Sequence, residues 1–255
     1  MGAGPTPGPT SSPAPATRRP FPSLRARGLD EPDARALLRR SVELVRESCP
    51  PQTLVAASVG SYGAFLADGS EYVGGYGLDR TALIDFHRER LRELSAARPD
   101  LLAFETIPDL VEIQAIAGLL EDRPGPRAWV SFSLRPGKRP CLADGTPLAE
   151  AAAPLRDLPR LAAIGVNCVG PTEVLPALET LAEAAPGQVL LAYPNSGERW
   201  VDRDWRGPAL DAAGFAAMAA TWWSAGARLI GGCCRTRPAH ITALAALRDD
   251  MRRQS

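Results

Sequence analysis

Residues 227–234 read Ala227-Arg228-Leu229-Ile230-Gly231-Gly232-Cys233-Cys234, a short apolar run closed by two glycines and two adjacent cysteines. Neighbouring side chains on a strand point to opposite faces. Both thiols can therefore serve one site only where the strand ends and the chain turns. The glycines are expected to permit that turn and to let the backbone approach whatever is bound. Two sulfurs placed this way suggest a metal, with a third ligand supplied from elsewhere.

Working outward, the rest of the chain repeats one unit, an apolar run followed by a helical pattern. Further apolar runs begin at Thr53, Leu101, Ala128, Ala162 and Val189, and the helical stretches start at Asp30, Asp79, Asp109, Thr146, Glu173, Ala209 and Pro238. The first helix, opened by Asp30-Glu31-Pro32-Asp33, is expected to bury Leu37, Leu38, Val42 and Val45 and to stop before Pro50-Pro51. A Gly- and Tyr-rich loop separates Gly60 from Gly77. Runs that are apolar throughout suit strands buried on both faces of a parallel sheet, so the fold class is α/β, as a barrel or an open doubly wound sheet. No Gly-x-Gly-x-x-Gly follows the first strand and no Gly-Lys-Ser/Thr loop is present, which argues against nucleotide binding. Ser58, Glu105, Cys168, Asn195 and Cys233 all fall at or just past the ends of different strands. In a β/α barrel those ends share one mouth, where the active site lies, and this favours the barrel.

Lys and Arg total 29 and Asp and Glu total 29, with no basic block, so charge offers no reason to expect a nucleic-acid partner. No apolar run approaches the roughly 18 to 20 residues of a membrane span. The five cysteines, at 49, 141, 168, 233 and 234, are odd in number and unevenly spaced, which suits a reducing, cytoplasmic setting better than a disulfide framework. Residues 1–23 form a Pro-, Thr-, Ser- and Gly-rich tail without an apolar face, expected to be disordered, and residues 24–250 form the folded domain.

Cys168 ends the strand before Glu173 and joins the vicinal pair as the third candidate ligand. Zn²⁺ binds thiolates readily, and three protein ligands leave a fourth position open, as catalytic zinc sites do. Glu105 ends an apolar strand, where an unpaired carboxylate is costly. It should meet a cation or a hydrogen-bond donor; it could bind a substrate ammonium group, or form a salt bridge inside the barrel. Asn195 and Ser196, in Tyr193-Pro194-Asn195-Ser196-Gly197, are candidate ligand donors or plain turn residues. His87 and His240 read as surface or packing residues, Trp222 and Trp223 as packing groups, and Cys49 and Cys141 as structural. A redox role for Cys233-Cys234 is disfavoured, because adjacent cysteines bridge only with strain.

With these residues in view, the sequence resembles the homocysteine S-methyltransferase family over about residues 24 to 250. The matching stretches are Gly165-Val166-Asn167-Cys168, Gly231-Gly232-Cys233-Cys234 and Phe104-Glu105-Thr106. Ala57-Ser58-Val59-Gly60, Ala67-Asp68-Gly69-Ser70-Glu71-Tyr72 and Tyr193-Pro194-Asn195-Ser196-Gly197-Glu198 resemble the S-methylmethionine-using branch. The resemblance implies a zinc-bearing (β/α)8 barrel with Cys168, Cys233 and Cys234 as metal ligands. It implies substrate contacts from Glu105, Ser58, Asn195 and Ser196, with Glu105 holding the amino acid end of homocysteine. The implied reaction moves a methyl group from S-methylmethionine or S-adenosylmethionine to the homocysteine thiol, giving methionine, with small molecules as the only partners. Relative to the family pattern, Ser61 stands where proline is usual and Gly75 where an acid is usual. The first two strand–helix units have no counterpart, so six of eight are expected, with exposed sheet edges. The alternative to an enzyme is a non-catalytic remnant that binds a metal or a partner.

Overall fold

The computed structural model describes Phe21, Leu24 and residues 27–121, 124–201 and 204–254. Strand and helix alternate along it. α1 (Glu31–Ser48) and β1 (Ala56–Gly60) lead to a short α2 (Tyr62–Leu66) and to α3 (Arg80–Ala96). Next come β2 (Leu101–Ile107), α4 (Leu110–Glu121), β3 (Arg127–Phe132), α5 (Leu148–Ala152) and β4 (Leu161–Asn167). α6 (Pro171–Ala184), β5 (Leu190–Tyr193), α7 (Ala212–Ser224), β6 (Ala227–Ile230) and α8 (Pro238–Gln254) follow. Small antiparallel hairpins pair Leu134 with Leu142 and residue 199 with residue 206.

Capping side chains mark the helix starts. Asp30, Asp79 and Asp211 accept the N–H groups of Asp33, Ala82 and Gly214 at 2.9, 2.8 and 2.7 Å. Each satisfies a backbone donor that the first turn cannot.

The six strands form one sheet in the order β1-β2-β3-β4-β5-β6, every pairing parallel. A doubly wound sheet reverses its strand order at a switch point. This sheet has no reversal. Helices touch their successors, α3 on α4, α6 on α7 and α7 on α8, while α1 rests on α3. Between them and the sheet lies one core that includes Phe104, Ile113, Phe132, Leu178, Phe215 and Trp222. No helix among the described residues is long and apolar enough to cross a membrane.

Two expectations need correction. The strands are not all buried on both faces. Among the described residues β1 and β6 pair on one side only, Ser58 is exposed, and Leu229 is 42% exposed. Nor does α1 bury the predicted face. Ala34 and Val42 are buried and Leu38 partly so, whereas Leu37 and Val45 are each 48% exposed. α1 docks largely through charge, because Arg35 pairs with Glu31, Glu89 and Glu93, and Arg39 with Glu93. Phe21, placed by the sequence in the tail, is buried with the Arg35 guanidinium 5.1 Å above its ring. Residues 1–20, the bulk of that tail, lie outside the described residues.

Gly165 in β4 makes the closest approach in the sheet. A Cβ there would sit 1.7 Å from the Leu191 carbonyl oxygen of β5 and 2.6 Å from its carbonyl carbon, backbone atoms held in the sheet. Gly165→Ala is expected to cost at least about 3 kcal/mol or to prevent folding, read by denaturant unfolding. A variant within about 0.5 kcal/mol of the parent would contradict this strand pairing.

Candidate metal centre and substrate site

The site is built where β4, β5 and β6 end. The Cys168 N–H donates to the Tyr193 carbonyl at 3.3 Å, and its left-handed backbone (φ 52°) turns the chain out of the sheet. β6 keeps to the same neighbour after Ile230. The Gly231 N–H donates to Ala192 O at 2.9 Å and the Cys233 N–H to Pro194 O at 2.8 Å. The turn comes only then. Thr236 closes it by donating from its N–H and its hydroxyl to the Cys233 carbonyl at 3.2 and 2.7 Å, with Arg235 left-handed (φ 65°). The glycines thus have a different job from the one expected. Neither is among the residues of positive φ, and a Cβ on Gly232 would meet the Thr236 hydroxyl oxygen at 2.5 Å. Gly232 makes room for the closing side chain.

This geometry gathers the sulfurs of Cys168, Cys233 and Cys234 within 4.8 Å of one another, all half-buried. Cys168 and Cys233 are joined as a disulfide with their Cα atoms 5.6 Å apart, and Cys234 Sγ lies 3.9 Å from Cys168 Sγ and 4.0 Å from Cys233 Sγ. Tetrahedral zinc with Zn–S near 2.3 Å needs sulfurs about 3.8 Å apart. Two of the three separations already match, and reduction frees the third pair to open to the same spacing. Burial pushes the Cys234 thiol above its ordinary range, so a cation is needed to hold it as thiolate. Among the described residues no other cluster of His, Cys, Asp or Glu could hold a metal.

Glu105 lies near the C-terminal end of β2, at the same edge of the parallel sheet as the cysteines. Its Oε1 accepts from the Ser58 hydroxyl, and its Oε2 accepts from the Tyr193 hydroxyl at 3.1 Å. A phenol has one proton, and here Glu105 takes it. Ser131 Oγ at 2.5 Å and Trp129 Nε1 at 3.1 Å therefore donate to the Tyr193 oxygen. Burial first, then the adjacent carboxylate, push Tyr193 far above the usual phenol range, so it stays protonated and donating. The salt bridge weighed for Glu105 is absent. Among the described residues it meets hydroxyls and no cation.

Asn167 is a brace between strand ends. Its Oδ1 accepts from the Thr106 N–H at 2.8 Å and its Nδ2 donates to the Thr106 hydroxyl at 2.7 Å, holding Thr106 left-handed (φ 60°). The residue after Glu105 is thereby tied to the residue before Cys168.

Asn195 is buried, and its Oδ1 has no hydrogen-bond partner among the described residues. Ser196 is fully buried and already engaged. Its N–H donates to Cys234 O at 3.1 Å and its hydroxyl to Glu198 at 2.9 Å, and Arg235 pairs with that same carboxylate at 3.2 Å. His87 is buried in α3, bonded to Glu112 at 2.8 Å, and His240 is buried in α8, bonded to Leu210 O at 3.0 Å. Both act as packing groups, outside the sulfur cluster. Trp222 is core, and Trp223 lies under the Arg228 guanidinium. Cys49 and Cys141 stand alone, at the end of α1 and in the first hairpin. The sequence reading missed Trp129, Ser131, Asn167 and Tyr193 as parts of the site.

The family model for homocysteine S-methyltransferase matches residues 16–247. The chain belongs to this family. It is 46% identical over 232 residues to the homocysteine S-methyltransferase of Escherichia coli (strain K12), covering 87% of this chain and 74% of that one. It is 42% identical over 240 residues to the homocysteine S-methyltransferase YbgG of Bacillus subtilis (strain 168), covering 89% and 75%. Among solved structures it resembles the E. coli homocysteine methyltransferase MmuM in an oxidized form, with TM-score 0.77 and 45% identity over 88% of this chain and 74% of that one. The metallated form of the same protein gives TM-score 0.75 at 44% identity with the same coverage.

In this family member Tyr193→Phe removes the hydroxyl shared by Glu105, Ser131 and Trp129. The orphaned buried donors are expected to cost about 1 to 3 kcal/mol in denaturant unfolding. A stability equal to the parent's would show that the hydroxyl chain is not formed.

Proposed function

We propose that the chain transfers a methyl group from a sulfonium donor, S-methylmethionine or S-adenosylmethionine, to the thiol of homocysteine. Cys168, Cys233 and Cys234 would hold Zn²⁺ at the mouth of a β/α-barrel-type sheet. The observation that carries the proposal is the gathering of three sulfurs at the same edge of the sheet as a carboxylate that no cation among the described residues neutralises. When bound there, zinc supplies a fourth position that binds the substrate sulfur and keeps it deprotonated.

The chain's own residues do the rest. Glu105 accepts the homocysteine ammonium group, and the Ser58 and Tyr193 hydroxyls fix the carboxylate from both oxygens. Asn195 offers its unpartnered buried oxygen to a substrate N–H. Ser196 holds the loop after β5 against Cys234 and thus supports the ligand pair. Asn167 keeps the ammonium-binding end and the sulfur end of the pocket in fixed relation. The donor leaves as a neutral thioether, so no general acid is required, and orientation is the main contribution left to the protein. Three thiolates outweigh the dication, which leaves the substrate sulfur electron-rich.

Reduced, zinc-supplied protein is expected to retain about one zinc per chain and to form methionine from homocysteine and S-methylmethionine. Cys168→Ser is expected to lose most of the zinc and at least about a hundredfold in activity. A zinc-free parent, or a Cys168→Ser form as active as the parent, would overturn the proposal. Zinc retained without turnover would support the non-catalytic reading, for which β1 and β6, each paired on one side only among the described residues, speak.

A further inference from the structure

The turn Ser70–Tyr72, in the Gly- and Tyr-rich loop after α2, is not used by the chemistry above. It is firmly seated. Asp68 accepts from the Ser70 N–H at 3.0 Å, the Gly75 N–H donates to Asp109 at 2.8 Å, and the Tyr76 hydroxyl donates to Glu112 at 3.2 Å. Gly63 lies so close beneath it that a Cβ would come within 2.4 Å of the Glu71 nitrogen. The turn packs on β2, the strand that carries Glu105 near its C-terminal end.

Two side chains on this turn lack an explanation in the fold. Glu71 Oε2 is buried without a hydrogen-bond partner among the described residues. A buried carboxylate oxygen left this way is costly unless a cation or donor arrives. Tyr72, next to it, is 41% exposed, so one part of its ring faces solvent. A neutral aromatic ring and an unpaired carboxylate are poor company for a thiolate and good company for a cation.

We propose that Glu71 and Tyr72, on the turn that packs against β2, form the subsite for the sulfonium methyl donor, separate from Glu105, which takes homocysteine. The proposal rests on the methyl-transfer reading and adds the residues that recognise the second substrate. In the reaction the homocysteine thiolate, its proton already lost to solvent, supplies the electron pair of the new S–CH₃ bond. The old S–CH₃ bond breaks with its pair remaining on the donor sulfur. The positive charge on the donor is therefore consumed, and Glu71 holds the substrate but not the neutral thioether product. A contact kept from the ground state into a transition state that still carries much of the donor's charge is nearly uniform binding, and its loss appears in KM and not in kcat.

The test uses the full, reduced, zinc-loaded chain, with S-methylmethionine as the sulfonium and methionine as its neutral counterpart. Glu71→Gln is expected to raise the KM for S-methylmethionine about tenfold, the loss of one charged contact of about 1.4 kcal/mol, while kcat and the homocysteine KM stay near the parent's. Calorimetry is expected to show the parent preferring S-methylmethionine to methionine, and Glu71→Gln losing that preference. Tyr72→Leu should weaken donor binding and Tyr72→Phe, which keeps the ring, should not, so the proposal remains testable if Glu71→Gln fails to fold. An unchanged donor KM and an unchanged sulfonium preference in Glu71→Gln, or equal behaviour of Tyr72→Leu and Tyr72→Phe, would overturn it. A parent that binds the sulfonium through Glu71 but forms no methionine would sink the methyl-transfer reading and leave the subsite standing.

Discussion

The backbone of β5 sets the distance between the two strand ends that carry the cysteines. Its Tyr193 carbonyl takes the Cys168 N–H on one side, while Ala192 and Pro194 take Gly231 and Cys233 on the other. A parallel ladder fixes its neighbours about 4.8 Å away on each side, so sulfurs reaching inward from both neighbours meet over β5. Cys233 is still in the ladder and Cys234 is in the turn, which is how two adjacent side chains come to face one point. The side chain of Tyr193 works on the same strand, holding Glu105 from below. One strand therefore positions the candidate metal ligands and the carboxylate together.

The arrangement concentrates negative charge. Three cysteine sulfurs, thiolates once Cys168 and Cys233 are reduced and metal is bound, lie at the same edge of the sheet as Glu105, and a further carboxylate oxygen, on Glu71, is buried without a hydrogen-bond partner among the described residues. Neutral donors, namely the hydroxyls of Ser58 and Tyr193, spread the charge on Glu105 without cancelling it. A folded chain tolerates such a deficit when the balancing cations arrive from outside, which under the proposed reaction would be a metal and the ammonium and sulfonium groups of substrates. The same reasoning explains why no Lys or Arg among the described residues pairs with Glu105.

The sequence made the alternation of strands and helices legible because buried parallel strands are apolar throughout, and it made the sulfur trio legible because a vicinal pair behind two glycines has few other uses. The barrel-mouth logic also singled out Glu105 and Asn195. What stayed hidden depends on partners far apart in the chain. Asn167 looks like an ordinary strand residue until Thr106 is seen opposite it, and Tyr193 looks like turn chemistry until Ser131 and Trp129 converge on its oxygen. The glycines before the cysteines were misread for a similar reason, since the need for space at Gly232 comes from Thr236 and not from backbone conformation. On α1, an apolar pattern suggested a buried stripe, but the ion pairs of Arg35 and Arg39 with α3 decide which way the helix faces.

The most direct measurement is zinc K-edge X-ray absorption on the reduced, zinc-loaded protein, before and after homocysteine is added. The account predicts three sulfur neighbours at about 2.3 Å and one lighter atom, changing to four sulfurs when the substrate thiol takes the open position. A site already closed by four protein ligands, or a spectrum that homocysteine leaves unchanged, would contradict it.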